Sequence, residues 1–245
     1  MVWNQRMTMA LAFCSAAWLA GCAYQADTVP EARGGSTSSR ARCLTAREIS
    51  QWAQAFSAKR PVPNPPASMT AADAACTRAK YQQQLVLLEG PLVGYKVALS
   101  NLHIQKTFHA DEPVWGSYHV AMLWPGNSHV SHQYGVHPLY EAGLLVRVKS
   151  SAINQAQTPE EALAAIDQII PFIELADVQV QRPSQLTAHN ITAINTATRM
   201  GIVGEPLAVP QAADKQKKLL KELETMSVRV IGNKGSLLGR GQGKD

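Results

Sequence analysis

The sequence predicts an α+β protein in which two N-terminal helices pack on a β-sheet body. Apolar residues recur at helical spacing in the segments 45–59 and 70–88, and the spacing changes to strand-like alternation from Val93 onward. The chain has 245 residues, of which 46% are hydrophobic and 17% charged, and this composition excludes a disordered or collagen-like protein. Its length suits one large domain or two small ones.

Residues 1–21 are predicted to be a lipoprotein signal peptide. Arg6 alone precedes an apolar run that ends in small residues, which is the pattern of a secretory signal. The run closes on Leu19-Ala-Gly-Cys22, which resembles the lipobox of bacterial lipoproteins and implies acylation of Cys22. Ala23 after the cysteine favours the outer membrane, so that the protein would face the periplasm on a lipid anchor. An ordinary signal peptide, or a buried helix with a chance cysteine, is the alternative.

Residues 22–43 are small and polar and are predicted to form a flexible tether. In an oxidising periplasm Cys43 and Cys76 could pair as a disulfide or stay as two unpaired, partly buried thiols. The net charge of +5 is mild, and the sequence has no basic helix or aromatic ladder, so a nucleic-acid partner is not indicated.

Residues 44–92 are expected to form the N-terminal helical region. The proline-rich run 61–66 stops the first helix, because proline cannot donate a backbone hydrogen bond within a helix. The second helix is predicted to begin at Thr70, whose side chain caps it together with Asp73, and to end near Gly90.

Residues 93–245 are expected to form the second, strand-rich domain. Segments rich in β-branched or alternating apolar residues predict strands over 93–99, 141–149, 170–181 and 226–231. A helix is predicted from Pro159 to about Ile169, since Thr158 caps it and proline occupies its first position. Another exposed helix is predicted over 211–224.

Several short motifs follow one another in a fixed order between residues 45 and 242. They are Met69-Thr-Ala-Ala-Asp-Ala-Ala75, Gly94-Tyr-Lys-Val-Ala-Leu-Ser100, Gln105, Pro113-Val-Trp-Gly116, His137-Pro-Leu-Tyr-Glu-Ala-Gly143, Phe172-Ile-Glu-Leu-Ala-Asp177, and Ala188-His-Asn-Ile-Thr192 before Gly201 and Gly204. This order resembles the 2-keto-4-pentenoate hydratase and 4-oxalocrotonate decarboxylase group of the fumarylacetoacetase (fumarylacetoacetate hydrolase) family. The resemblance implies a mixed β-sheet roll of the family's C-terminal-domain type over residues 93–245, which would be incomplete at its C-terminus.

The resemblance also implies a lyase that hydrates or decarboxylates a short 2-oxo or dienoic acid in aromatic catabolism. Family members bind Mg²⁺ or Mn²⁺, hard ions that prefer carboxylate oxygens. Carried over residue by residue, Glu141 is the first metal ligand and Glu174 the third. Lys96 is implied to lie beside the substrate, and Thr192, at the family's serine position, to hydrogen-bond it; both are therefore candidate catalytic residues.

Three departures from the family pattern leave two functions open. Gly143 stands where the family has the second glutamate of the ligand pair, and Val114 stands where it has an acid before the aromatic-glycine pair. His189 replaces the aspartate of the Asp-Asn-Ala-Ser turn. Lys96 and the two glutamates favour an enzyme, with its metal weakly held or lost. The departures favour a non-catalytic envelope lipoprotein that keeps the fold and binds a small carboxylate or acts as a scaffold. Association into a homo-oligomer is compatible with either function.

Overall fold

The computed structural model describes residues 42–232 and 234–243. The predicted signal peptide, Cys22 and most of the tether predicted over 22–43 lie outside the described residues. The described helices are α1 Ala46–Ser57, α2 Ala71–Glu89, α3 Leu102–Phe108, α4 Pro159–Ala164, α5 Ala188–Ala193 and α6 Ala213–Thr225. The described strands are β1 Leu92–Ala98, β2 Val114–His119, β3 Leu123–Pro125, β4 Pro138–Val148, β5 Ile166–Asp177, β6 Met200–Val203, β7 Leu207–Ala208, β8 Ser227–Ile231 and β9 Leu237–Gln242.

The first two helices begin where their caps are predicted. Thr45 and Glu48 form a capping box at the start of α1, and Thr70 and Asp73 form the same arrangement at the start of α2. In each box the two side chains satisfy backbone N–H groups that have no partner within the helix. A disulfide between Cys43 and Cys76 ties the segment before α1 to α2, with 5.6 Å between the Cα atoms. In the part of the chain that the structure describes, no helix is long and apolar enough to cross a membrane.

The strands form a mixed sheet flanked by two antiparallel pairs. In the sheet the strand order is β3-β6-β5-β4, and β7 also pairs with β5. β3 runs parallel to β6, and the other pairs of this sheet are antiparallel. The β1–β2 and β8–β9 pairs stand apart from it. The predicted α+β class, with N-terminal helices and a mixed sheet, is thereby confirmed.

One apolar core joins the helices to the sheet and fixes the position of the β1–β2 pair. Trp52 of α1 meets Tyr81 of α2 edge to face, with 5.6 Å between the ring centroids. Tyr118 of β2 meets Phe172 of β5 in the same geometry and at the same distance of 5.6 Å. Such aromatic pairs bury large apolar areas and prefer this edge-to-face arrangement. The β1–β2 pair is therefore held against the middle of β5.

The helix predicted to run from Pro159 to Ile169 is shorter than expected. It ends at Ala164, and Ile166 already pairs with Val148 at the start of β5. The side chains of Ile166 and Ile169 are buried in a small core beneath α6. Branching at Cβ stiffens isoleucine and favours the extended backbone, so this packing ends the helix earlier than the sequence predicts.

Candidate functional site

The structure brings Lys96 and Glu174 into direct contact. They lie 78 residues apart in the sequence, on β1 and β5, and the Lys96 ammonium donates a hydrogen bond to a Glu174 carboxylate oxygen. Their side chains are only 8% and 11% exposed, respectively. The ammonium also donates to the backbone carbonyl of Thr196 at 2.9 Å. Because an unpaired charge inside a protein is costly, this pairing is what lets Lys96 occupy a buried strand position.

Glu141 is the third predicted charged residue, and it lies next to this pair. It is directly opposite Glu174 in the antiparallel β4–β5 ladder, so both carboxylates leave the sheet on the same face. Glu141 itself is exposed. Burial raises the pKa of Glu174, the Lys96 charge opposes that rise, and the negative charge of Glu141 adds to it. The site thus combines one buried and one open carboxylate beside an ammonium group.

Tyr118 belongs to the same site, and sequence analysis did not single it out. Lys96 pairs with Gly116 in the β1–β2 ladder, and Tyr118 follows Gly116 by two positions, so both side chains leave the strand pair on one face. The Tyr118 hydroxyl is buried and has no hydrogen-bond partner among the described residues. Burial, with the charges of Glu174 and Glu141, raises the pKa of this hydroxyl, which therefore stays a neutral donor.

A strained turn supplies the carbonyl that holds Lys96. Asn195, Thr196 and Ala197 adopt positive φ values of 56°, 54° and 57°. This left-handed conformation costs a non-glycine residue about 1–2 kcal/mol, so three in succession must be held by their surroundings. Asn195 provides that support: its side-chain oxygen accepts from the Ser117 N–H at 2.8 Å, and its amide nitrogen donates to the Ser117 carbonyl at 3.0 Å.

Gly116 allows this turn to approach the β1–β2 pair. A Cβ atom at position 116 would lie 2.3 Å from the Thr196 hydroxyl and 2.5 Å from the Asn195 carbonyl oxygen. Any side chain here would push the turn away from Lys96.

On the far side of β2, His119 is fully buried, with Nδ1 2.9 Å from the Gly90 carbonyl and Nε2 3.1 Å from the Ser117 hydroxyl. Since a carbonyl only accepts, Nδ1 carries the proton of this histidine.

The structure places Thr192 in a different setting from Lys96. Its hydroxyl donates to the Ala188 carbonyl at 3.1 Å, within its own helix α5. The residue of this region that contacts Lys96 is Thr196, three positions beyond the end of the helix. The sequence contains a signal for Thr196. Like the family's Asp-Asn-Ala-Ser turn, the segment Asn195-Thr196-Ala197 has an asparagine followed by small residues, and it lies closer to Gly201 than Thr192 does.

The remaining predicted feature is the gap left by Gly143. This glycine pairs with Phe172 on β4, and a Cβ built there meets no atom within 4 Å. The space that a second glutamate side chain would enter is therefore open. Asp177 does not replace it, because it stands three positions after Glu174 on β5 and leaves the sheet on the opposite face. There one of its oxygens accepts the N–H groups of Val136 and His137, each at 2.8 Å.

The donor set fits a loosely held divalent cation. Among the described residues, no group of three or more His, Cys, Asp or Glu side chains is arranged to hold a metal ion. Glu141 and Glu174 remain as two opposed carboxylates. Mg²⁺ is commonly bound through one or two carboxylates, with water and substrate oxygens completing its coordination. Lys96 already neutralises one of the two carboxylates, so any such ion would bind weakly.

The fold is that of the fumarylacetoacetate hydrolase family, as the motif resemblance predicts. The chain is similar to 4-oxalocrotonate decarboxylase from Pseudomonas putida G7 complexed with magnesium and adipate, with 20% identity, a TM-score of 0.66, and coverage of 82% of this chain and 76% of that chain. For the same enzyme complexed with calcium and acetate, the identity is 21%, the TM-score 0.66, and the coverage 82% of this chain and 75% of that chain. No protein-family model and no curated protein matches the chain.

Proposed function

We propose that this protein binds a short 2-oxo carboxylic acid beside Lys96 and Tyr118 and acts on it as a lyase, by hydration or decarboxylation. The observation that carries the proposal is the buried Lys96–Glu174 pair next to a Tyr118 hydroxyl that has no partner among the described residues. A buried donor without an acceptor is costly, and a bound ligand oxygen would satisfy it.

The chemistry follows from the two donors on one face of the β1–β2 pair. A 2-oxo acid presents acceptor oxygens on its carboxylate and on its oxo group. Hydration of a dienoate and decarboxylation of a related diacid both pass through an enolate, in which negative charge grows on the oxo oxygen. The Lys96 ammonium and the neutral Tyr118 hydroxyl can hydrogen-bond that oxygen and stabilise the charge.

A divalent cation such as Mg²⁺ or Mn²⁺, held by Glu141 and Glu174, would add positive charge at the same oxygen when bound. Support for this assignment comes from the similar decarboxylase, whose structures hold magnesium with adipate and calcium with acetate. Those two complexes pair a hard divalent ion with a carboxylate ligand on the same fold. The proposed substrate, a small 2-oxo acid, likewise carries a carboxylate that could bind beside a divalent ion.

A non-catalytic carboxylate-binding protein is the second candidate, and Gly143 favours it. Without the second glutamate, two carboxylates remain, and Lys96 already neutralises one of them. In this version the Lys96 and Tyr118 donors hold a carboxylate ligand without turning it over. The lipid anchor on Cys22 and the outer-membrane location stay predictions in both versions. A Cys22→Ser variant that still fractionates with the outer membrane would contradict the lipid anchor, and a wild type found in another fraction would contradict the location.

Turnover and metal binding, measured separately, test the proposal. Loss of the ultraviolet absorbance of a 2-hydroxydienoate is followed with Mg²⁺ or Mn²⁺ present, for the wild type and for Lys96→Met and Tyr118→Phe. Lys96→Met is expected to lower kcat/KM by about 100-fold or more, and Tyr118→Phe by about tenfold. Tyr95→Phe is the matched control, because Tyr95 lies on the opposite face of β1 and is exposed.

Calorimetric titration with Mg²⁺ separates the two candidates. Gly143→Glu is expected to tighten metal binding about tenfold or more, since the new side chain enters open space on the face that carries Glu141. Turnover by the wild type supports the lyase. If the wild type turns over no 2-oxo acid and metal binds only to Gly143→Glu, the lyase is excluded and the carboxylate-binding protein remains.

A further inference from the structure

We infer that the protein has a second binding site, for a small carboxylate with an apolar body, in a cavity away from the Lys96 site. The cavity has a volume of about 280 Å³. Its lining includes Lys59, Met122, Tyr134, Arg199 and Met200. The volume is close to the lower end of the range for small-molecule pockets, roughly 300–1,000 Å³. It suits a ligand of about ten heavy atoms or fewer.

The two sites lie on opposite faces of the sheet. On β5, Glu174 pairs with Gly201 of β6 and Leu175 pairs with Met200. Neighbouring residues of a strand point to opposite faces, so Met200 in the cavity and Glu174 in the first site face away from each other. Neither Lys96 nor Tyr118 lines the cavity. A ligand bound there would leave the first site free.

Arg199 supplies the main argument for an anion. Its guanidinium donates to the Phe56 carbonyl at 2.6 Å and lies 3.9 Å from the centre of the Phe56 ring. It is half-buried, and the charges of Asp177 and Glu89 act on it from a distance. Within residues 42–232 and 234–243, however, no acidic side chain lies close enough to form a salt bridge with it. A buried cation normally has a carboxylate partner, because its loss of water is otherwise uncompensated. A carboxylate bound in the cavity would be that partner, through the paired N–H donors of the guanidinium.

Lys59 adds a second cation at the rim. It follows the end of α1 with a positive φ of 50°, a conformation that glycine usually adopts at this place in a helix end. Its ammonium reaches across to donate to the Gln133 carbonyl at 3.1 Å. Glu89 is the one acidic side chain among the described residues of the lining, so these residues carry a net formal charge of +1, from two cations and one anion.

The floor of the cavity selects the rest of the ligand. Met122, Met200 and Tyr134 are buried there, and the Tyr134 hydroxyl is already engaged with the Leu139 carbonyl. The floor therefore offers the Met200 thioether and the Tyr134 ring to the body of a ligand, with Met122 packed behind them. Methionine side chains pack well against aromatic groups, and Trp124 adds a ring to the lining. Benzoate combines such a ring with one carboxylate and is the appropriate probe.

Calorimetric titration of the purified full-length chain with benzoate tests the site. One saturable site is expected, with the dissociation constant raised about tenfold or more in Arg199→Met and about threefold in Lys59→Met. Ala121→Trp, which adds a large side chain to the lining and keeps both cations, is expected to abolish binding. Tyr118→Phe is the control for the first site, because it removes a donor there without unpairing a buried charge, and should bind benzoate as the wild type does.

Three results would overturn the inference. They are a benzoate dissociation constant that is unchanged in both Lys59→Met and Ala121→Trp, benzoate binding that is weakened in Tyr118→Phe instead, and no binding to the wild type. Lys59 and Ala121 are exposed, so these two variants decide the matter even if Arg199→Met fails to fold. Inorganic phosphate is the comparison ligand, because it is an anion without an apolar body. If phosphate bound as tightly as benzoate, the apolar floor would make no contribution to binding.

Discussion

Replacing Lys96 by methionine tests the central pair of the site most directly. Methionine keeps the length of the side chain and removes its charge, so Glu174 loses its partner. The two side chains are 8% and 11% exposed, which puts the pair among buried ion pairs, where removing one partner costs about 3–5 kcal/mol. For an exposed pair the expected cost would be about 0–1 kcal/mol. We therefore expect Lys96→Met to lower the free energy of unfolding by about 3–5 kcal/mol, measured by urea denaturation.

A double-mutant cycle separates the charge effect from the loss of packing. Glu174→Gln alone leaves the Lys96 ammonium without its carboxylate, whereas Lys96→Met/Glu174→Gln removes both charges of the pair. The double variant should be more stable than the sum of the single losses predicts, by about 2 kcal/mol. Additive losses would refute the reasoning, because they would mean that the two charges do not depend on each other.

The pH dependence of Lys96→Met gives a second check. Burial already raises the pKa of Glu174, and the variant lacks the positive charge that opposes this rise. Since the folded pKa lies above the unfolded one, the native state takes up a proton before the unfolded state as the pH falls. The stability lost in Lys96→Met should therefore be partly regained as the pH falls toward the ordinary pKa of a glutamate, 4.5. A loss that stays constant as the pH falls would contradict an unpaired buried carboxylate.

Three further substitutions and one control variant test the scaffold by chemical denaturation. Gly116→Ala should destabilise the protein by about 2–4 kcal/mol, because its Cβ would lie 2.3 Å from the Thr196 hydroxyl. Gly94→Ala is its control in the same strand pair, where a Cβ meets no atom within 4 Å, and should change stability by less than about 1 kcal/mol. Cys43→Ser should lower the free energy of unfolding by about 3–4 kcal/mol, because it removes the disulfide. A reductant should lower the free energy of unfolding of the wild type by a similar amount and leave that of the variant unchanged. Thr70→Ala should cost about 0.5–2 kcal/mol through loss of the cap, and an unchanged midpoint would contradict that role.

Local signals explain which elements could be predicted. The capping boxes at Thr45 and Thr70 depend on residues three positions apart, so the sequence contains them completely. The helix that begins at Pro159 was predicted with the wrong end, because Ile166 is recruited by pairing with Val148, a partner across the sheet. A contact with a distant segment, which the local signals do not contain, therefore set the end of this helix.

The candidate site was predictable only in part for the same reason. Lys96, Glu141 and Glu174 stand in recognisable motifs, and the structure places them together. Tyr118 carries no motif signal, and its importance depends on a hydroxyl that is buried without a partner among the described residues. Thr192 was chosen on motif spacing, but the segment around it is helical and its hydroxyl is used within that helix.

The amino-acid order alone determined the N-terminal helices, the class of fold and the charged residues worth testing, because periodicity, caps and motifs are properties of neighbours along the chain. Tertiary structure decided that an ammonium on one strand is neutralised by a carboxylate 78 residues later. It also decided that the left-handed turn at Asn195 fits against a glycine of β2. Burial, pairing and close approach are relations between segments distant in sequence, so they exist only once the chain has folded.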